Sequence, residues 1–183
     1  MSIILISDIF GLTPALLKLK DELAATTIVD PYQGEYMDFD TEAEAYACFT
    51  STVGLDSYVT AIGKVLASLD SKVTLIGFSV GAAAIWRLSV NNENNNIKQA
   101  FCFYGSQIRN FSKIEPCFEI HLVFPKTESH FDVWALNNTL AKKPNVFTSQ
   151  VEYLHGFMNY YSDNFNQVGY NKYLAKLRSF TVE

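Results

Sequence analysis

The chain has 183 residues, of which 49% are hydrophobic and 18% charged, and it carries a formal net charge of −5. That length suits one domain, 1–183, with a sizeable core. An acidic balance with no Lys/Arg cluster excludes a nucleic-acid surface, and the longest apolar runs are too short to cross a membrane.

The three cysteines, Cys48, Cys102 and Cys117, have no metal-ligand spacing. Their odd number suits reduced thiols in the cytoplasm, each used in packing. Met1–Ile6 lacks a basic start and reaches Asp8 almost at once, so it reads as a first strand and not as a signal peptide.

Ile3–Ile6 is a continuous apolar run, as expected for a strand buried on both faces of a parallel sheet. Thr13-Pro14 is a helix entry, and Ala15–Ala25 reads as an amphipathic helix. Thr27–Asp30 is a short second strand ended by Pro31, which completes a βαβ unit. After an acidic, turn-rich connection over 31–40, Thr41 and Glu44 make a T-x-x-E capping signal for a helix through Phe49. Gly54 interrupts, and Leu55–Leu69 is a further helix. Val73–Ile76 is a strand that runs through Gly77-Phe78-Ser79-Val80-Gly81 into an alanine-rich helix. Asn91–Asn96 is a polar linker. Strands follow at Ala100–Tyr104, Phe118–Phe124 and Val146–Leu154, with helices at Trp134–Leu140 and Asn171–Phe180. This alternation predicts a doubly wound, mainly parallel sheet flanked by helices, with functional groups gathered beyond the carboxyl ends of the strands. Asp8, Ser79, Tyr104, Glu128 and His155 all fall at such ends.

G-x-S-x-G between a strand and a helix is the nucleophile elbow of the α/β-hydrolases. The serine sits on a tight, strained turn, and its neighbours two residues away lack side chains because strand and helix nearly touch there. A serine hydroxyl needs a base to accept its proton. His155 lies in a loop after the last strand, whereas His121 falls inside a strand and His130 in an earlier loop. The base in turn needs a carboxylate. Glu93, Glu115, Glu119, Glu128, Asp132 and Glu152 lie between Ser79 and His155. Glu128, just past the strand ending near Phe124, is favoured over Asp132 four residues on. The oxyanion would be held by the amides of Val80 and Ile9. Asp8 and Tyr104 are accessory candidates.

These pieces, read in order, resemble the dienelactone hydrolase family. They are Asp8-Ile9-Phe10-Gly11-Leu12, Asp30-Pro31-Tyr32, Gly77-Phe78-Ser79-Val80-Gly81, Tyr104-Gly105, Glu128-Ser129-His130-Phe131-Asp132 and His155-Gly156-Phe157. The resemblance implies an α/β-hydrolase fold, cofactor-free hydrolysis of an ester or lactone, and Ser79, Glu128 and His155 as the triad. It also matches Asp8 to a carboxylate that contacts the nucleophile. Three departures narrow the reading. Serine replaces the cysteine of the type members, and Glu stands where Asp is usual. No Lys or Arg occurs between Lys20 and Lys64, and Asn159 follows the His155 motif, so the grip on an anionic substrate is missing. The chain also begins on a strand that family members reach after an N-terminal extension. The expectation is a serine hydrolase for a small uncharged ester, thioester or lactone, with an aromatic-lined open pocket and no metal. A homodimer is compatible with this reading. An acyltransferase, or a non-catalytic binding protein on the same fold, are the rival readings.

Overall fold

The computed structural model describes residues 2–91 and 96–181. Residues 92–95 of the expected polar linker, including Glu93, lie outside the described residues.

Six short, apolar, β-branched runs form one sheet. They are β1 (Ser2–Ile6), β2 (Thr27–Val29), β3 (Val73–Phe78), β4 (Ile97–Phe103), β5 (Glu119–Phe124) and β6 (Val146–Gln150). Their order is β2-β1-β3-β4-β5-β6, and every neighbouring pair is parallel. All carboxyl ends therefore open on one edge. The winding reverses between β1 and β3, where a doubly wound sheet leaves a crevice.

Alternating side chains feed two cores. Ile4, Ile6, Leu75, Ala100 and Cys102 pack with helices α3 (Gly54–Ala67) and α4 (Val80–Leu88) on one face. Ile3, Leu5, Ile76, Phe101 and Phe103 pack with α1 (Pro14–Glu22) and α6 (Gln167–Thr181) on the other. Burial on both faces explains why these strands read as unbroken apolar runs.

The helix starts follow their caps. Thr13 Oγ1 accepts from the Leu16 amide ahead of α1, at 3.1 Å. Thr41 Oγ1 accepts from the Glu44 amide at the start of α2 (Glu42–Cys48). The reciprocal bond of that capping signal goes one residue further back, from the Asp40 amide to Glu44 Oε2. Beyond Cys48 the chain loosens into a π-helical turn over Phe49–Val53, and Gly54 breaks it at φ 71°. Thr50 and Thr52 hydroxyls donate back to the carbonyls of Tyr46 and Cys48 there, competing with the regular ladder.

Several boundaries differ from expectation, among them the end of the first helix, at Glu22 instead of Ala25, and three have a visible cause. β6 stops at Gln150 instead of Leu154. Its partner β5 pairs last at Phe124 with Gln150, and Pro125 offers no amide to continue the ladder. β4 starts at Ile97 because Gln99 is buried between Thr74 and the core and the polar residues are absorbed into the strand. α6 starts at Gln167, since Asn166 Oδ1 accepts from the Gly169 amide and the helix runs on through that glycine.

Tyr58, on α3, ties the carboxyl ends of β1 and β2 together. Its buried hydroxyl lies 2.9 Å from the Val29 carbonyl and 3.2 Å from that of Ser7. Tyr58→Phe leaves these acceptors without that donor, so urea unfolding should show a loss of about 1–2 kcal/mol. A loss within about 0.3 kcal/mol would mean the hydroxyl does not hold the strands.

Candidate active site

Ser79 joins β3 to α4 with φ 49° and ψ −110°. This is a backbone conformation that costs a non-glycine residue about 1–3 kcal/mol. Its amide donates to the Phe103 carbonyl at 3.0 Å, and the Ala83 amide bonds back to its carbonyl at 3.0 Å, so strand and helix hold the turn from both sides. The two flanking glycines are required by space. A Cβ on Gly77 would lie 2.5 Å from Ile85 Cδ1, and one on Gly81 2.4 Å from the Ser7 carbonyl oxygen.

The hydroxyl projected by this turn meets His155. Ser79 Oγ is 3.0 Å from His155 Nε2, and His155 Nδ1 is 2.7 Å from Glu128 Oε1. With Nδ1 donating to the carboxylate, Nε2 is left to accept the serine proton. The three side chains make a Ser–His–acid triad of the kind used in serine-hydrolase chemistry. They come from the loops after β3, β6 and β5. Glu128 stands on the short Lys126–His130 loop, and the Lys126 amide donates to the Tyr153 carbonyl, tying that loop to the segment leading to His155.

The structure separates the competitors. Asp132 caps helix α5 (Val133–Leu140), its Oδ1 accepting from the Ala135 amide at 3.0 Å. His121 pairs with Glu119 and lies between the rings of Phe101 and Phe147. His130 is exposed on the rim of the cleft that contains Ser79.

Ile9 and Val80 both line that cleft beside Ser79 and His155. Val80 is the first residue of α4, so its amide has no intrahelical acceptor. In the β1 loop, Asp8 occupies its neighbours: Oδ1 accepts from the Phe10 amide and the Asp8 carbonyl from that of Gly11. Ile9 stands between these bonded residues, on the wall of the cleft. Tyr32, named in the sequence as part of the Asp30-Pro31-Tyr32 piece, adds a clamp. Its hydroxyl donates to the Ile9 carbonyl at 2.8 Å, and its ring fills the space a Cβ on Gly11 would need.

Asp8 does not bond the serine. Its Oδ2 accepts from Asn159 Nδ2 at 2.6 Å, which joins the β1 loop to the segment after His155. Asn159 drew notice in the sequence only as a missing cation. Burial pushes the Asp8 carboxyl up to about 6, helped by Glu42 and opposed by the Phe10 amide, Asn159 and His155. Tyr104, at φ 41°, is fully buried against His155 with ring centroids 5.0 Å apart, and burial raises its phenol well above the usual range.

The chain is similar over 99% of its length to a putative dienelactone hydrolase from Klebsiella pneumoniae, with a TM-score of 0.77, 15% identity and 86% of that chain covered. A dienelactone hydrolase-like promiscuous phosphotriesterase from metagenomic libraries matches with a TM-score of 0.67 at 12% identity, over 99% of this chain and 85% of that one. A lipase-esterase related protein from Clostridium acetobutylicum matches at 0.63 and 10% identity, over 98% and 93%. The fold is thus that of the dienelactone hydrolase-like α/β-hydrolases. In sequence the chain is 30% identical over 185 residues to the uncharacterized protein YczH of Bacillus subtilis (strain 168), covering 97% of this chain and 90% of that protein, and it belongs to the same family. No family model matches it.

Asp8 holds its proton more tightly folded than unfolded, since its ordinary value is 3.8 and its folded value about 6. Its contribution to stability therefore falls as pH rises through that window. Asp8→Asn removes the penalty. The variant's stability relative to wild type should improve by about 2 kcal/mol between about pH 4 and about pH 7.5, a figure reduced for the partial exposure of the carboxyl. Urea unfolding at both pH values reads this directly, and a pH-independent difference would contradict it.

Proposed function

We propose that the protein is a serine hydrolase that cleaves a small ester, thioester or lactone through an acyl-enzyme. The observation that carries this reading is the continuous relay from Ser79 Oγ through His155 to Glu128, at 3.0 and 2.7 Å. Ser79 Oγ attacks the carbonyl carbon as His155 Nε2 takes its proton. The oxyanion is held by the Ile9 and Val80 amides, and Glu128 stabilises the imidazolium. Collapse of the intermediate breaks the bond to the leaving alcohol or thiol, which receives the proton from His155. Water, deprotonated by the same imidazole, then attacks the acyl-enzyme and frees Ser79.

The substrate's acyl part is uncharged in this reading. Asp8 and Glu42 both line the narrow chamber around Ser79, and a carboxylate brought beside them would be repelled in a partly dry site. Asp8 and Tyr104 act as accessory groups that shape the chamber. The net charge of −5 supports a small-molecule substrate over nucleic acid. Among the described residues no helix is long and apolar enough to cross a membrane, and three free cysteines support a cytoplasmic site.

Intact mass after treatment with a fluorophosphonate tests the reading. Wild type should gain one adduct, and Ser79→Ala and His155→Ala none. Glu128→Gln, which keeps the shape but reverses the hydrogen-bond demand on His155, should slow labelling by on the order of 10³- to 10⁴-fold. An unlabelled wild type, under conditions that label a control hydrolase, favours the non-catalytic binding reading.

A further inference from the structure

Two openings flank Ser79, and they differ in kind. Toward Glu128 lies an open cleft of about 400 Å³, with Gln107, Arg109, Ser129 and His130 in its wall. On the other side is a narrow chamber holding Ser79 and His155. Behind it lies a cavity of about 110 Å³ with Ala15, Leu16, Leu19, Phe78, Met158 and Phe165 in its lining. Asp8, Tyr104 and Asn159 belong to the walls of both chamber and cavity, and so form the partition between them.

We infer that this rear cavity, between α1 and the segment after His155, is the acyl pocket, and that it takes an unbranched, uncharged acyl chain of about four carbons. The inference rests on the serine-hydrolase reading and deepens it. Size sets the length: an apolar cavity of about 150 Å³ holds a six-carbon ring, so 110 Å³ holds a shorter chain. Polarity sets the character, because apart from Asp8 in the partition the charged lining residue is Lys18, which is exposed. The order of events sets the direction. The acyl group stays on Ser79 through two steps and suits the narrower, more apolar side. The alcohol departs after the first and suits the open, polar cleft beside His155.

The partition can part at the Asp8–Asn159 side. One side-chain hydrogen bond, Asn159 to Asp8, spans it. The Tyr104 ring is packed against Phe78, Phe103, His155 and Phe157, so it forms the fixed side of the partition and the Asp8–Asn159 pair the side that parts. A chain that crosses trades one hydrogen bond for burial of several methylenes, each of which favours binding.

Fluorophosphonates with a phosphorus-bound alkyl chain test the pocket on the intact protein, because the chain occupies the acyl position. Their labelling rate is read by intact mass. Wild type should react roughly ten- to fifty-fold faster with the butyl than with the methyl reagent. The rate should fall again at octyl. Ala15→Phe places a ring in the cavity from the first turn of α1 and should bring the butyl-to-methyl ratio close to one. Leu16→Ala, which enlarges the cavity, should move the optimum to a longer chain. Thermal unfolding confirms that each variant is folded. No labelling with any reagent overturns both the serine reading and the pocket. Labelling of Ser79 with no dependence on chain length overturns the pocket alone, as does a chain-length preference unchanged in both folded variants.

Discussion

The structure depends on one close approach, that of the start of α4 to the ends of β1 and β3. Gly81 lies so near the Ser7 and Ile6 carbonyls that no side chain fits, and Gly77 is pressed equally by Ile85. This contact lets the chain reverse from strand to helix within one residue. It holds Ser79 at φ 49° although serine prefers other conformations. The strain is sustained by surroundings that are fully buried: Ile6, Leu75, Ala82, Ala83 and Ile85 have essentially no exposure. A looser core would let the turn relax and carry the hydroxyl away from His155.

The same approach explains which loops meet. β1 and β3 are neighbours, with Ile6 opposite Gly77, and they flank the point at which the winding reverses. The loops that leave them diverge and open a crevice between Ile9 and Val80. Successive parallel strands then add one loop each at the same edge: Tyr104 after β4, Glu128 after β5 and His155 beyond β6. The triad is therefore assembled by register and strand order, with each partner far from the others in sequence. Glu128 in place of the shorter aspartate fits this account. It sits four residues past the end of β5, and the extra methylene spans the gap to His155 Nδ1.

How much of this was legible in the sequence follows from the range of the forces involved. The sheet and its order of elements could be read because burial on both faces writes continuous apolar runs, as in Ile3–Ile6 and Val73–Ile76. The elbow could be read because close approach demands glycine at two fixed positions. Position along the chain is all that favours Glu128 over Asp132 in the sequence. The structure supplies the local reason, since Asp132 is consumed as the cap of α5. What could not be read depends on contacts between distant residues. The end of β6 is set by Pro125 on its neighbour, the clamp on Ile9 by Tyr32, and the partner of Asp8 by Asn159, 151 residues away.

That last pair changes the meaning of an apparent loss. With no cation after the His155 motif, the sequence alone shows a missing grip on anions. In the fold, Asn159 donates to Asp8 through Nδ2 and accepts from the Tyr161 amide through Oδ1. Its fixed orientation matches a carboxylate on one side and a backbone amide on the other, a pairing no ammonium or guanidinium could make, since neither can accept. A neutral partner also leaves Asp8 without a compensating charge, and burial accordingly lifts its carboxyl to about 6. The chamber beside Ser79 is thus walled by two carboxyls, Glu42 and an Asp8 raised to about 6, and by the Asn159 amide. A cation there would have held Asp8 fully ionised and bound it more tightly to the segment after His155. The pair joins the β1 loop to that segment and leaves no cation in that part of the chamber wall to draw in an anion. That is the environment in which an uncharged acyl group is least disfavoured.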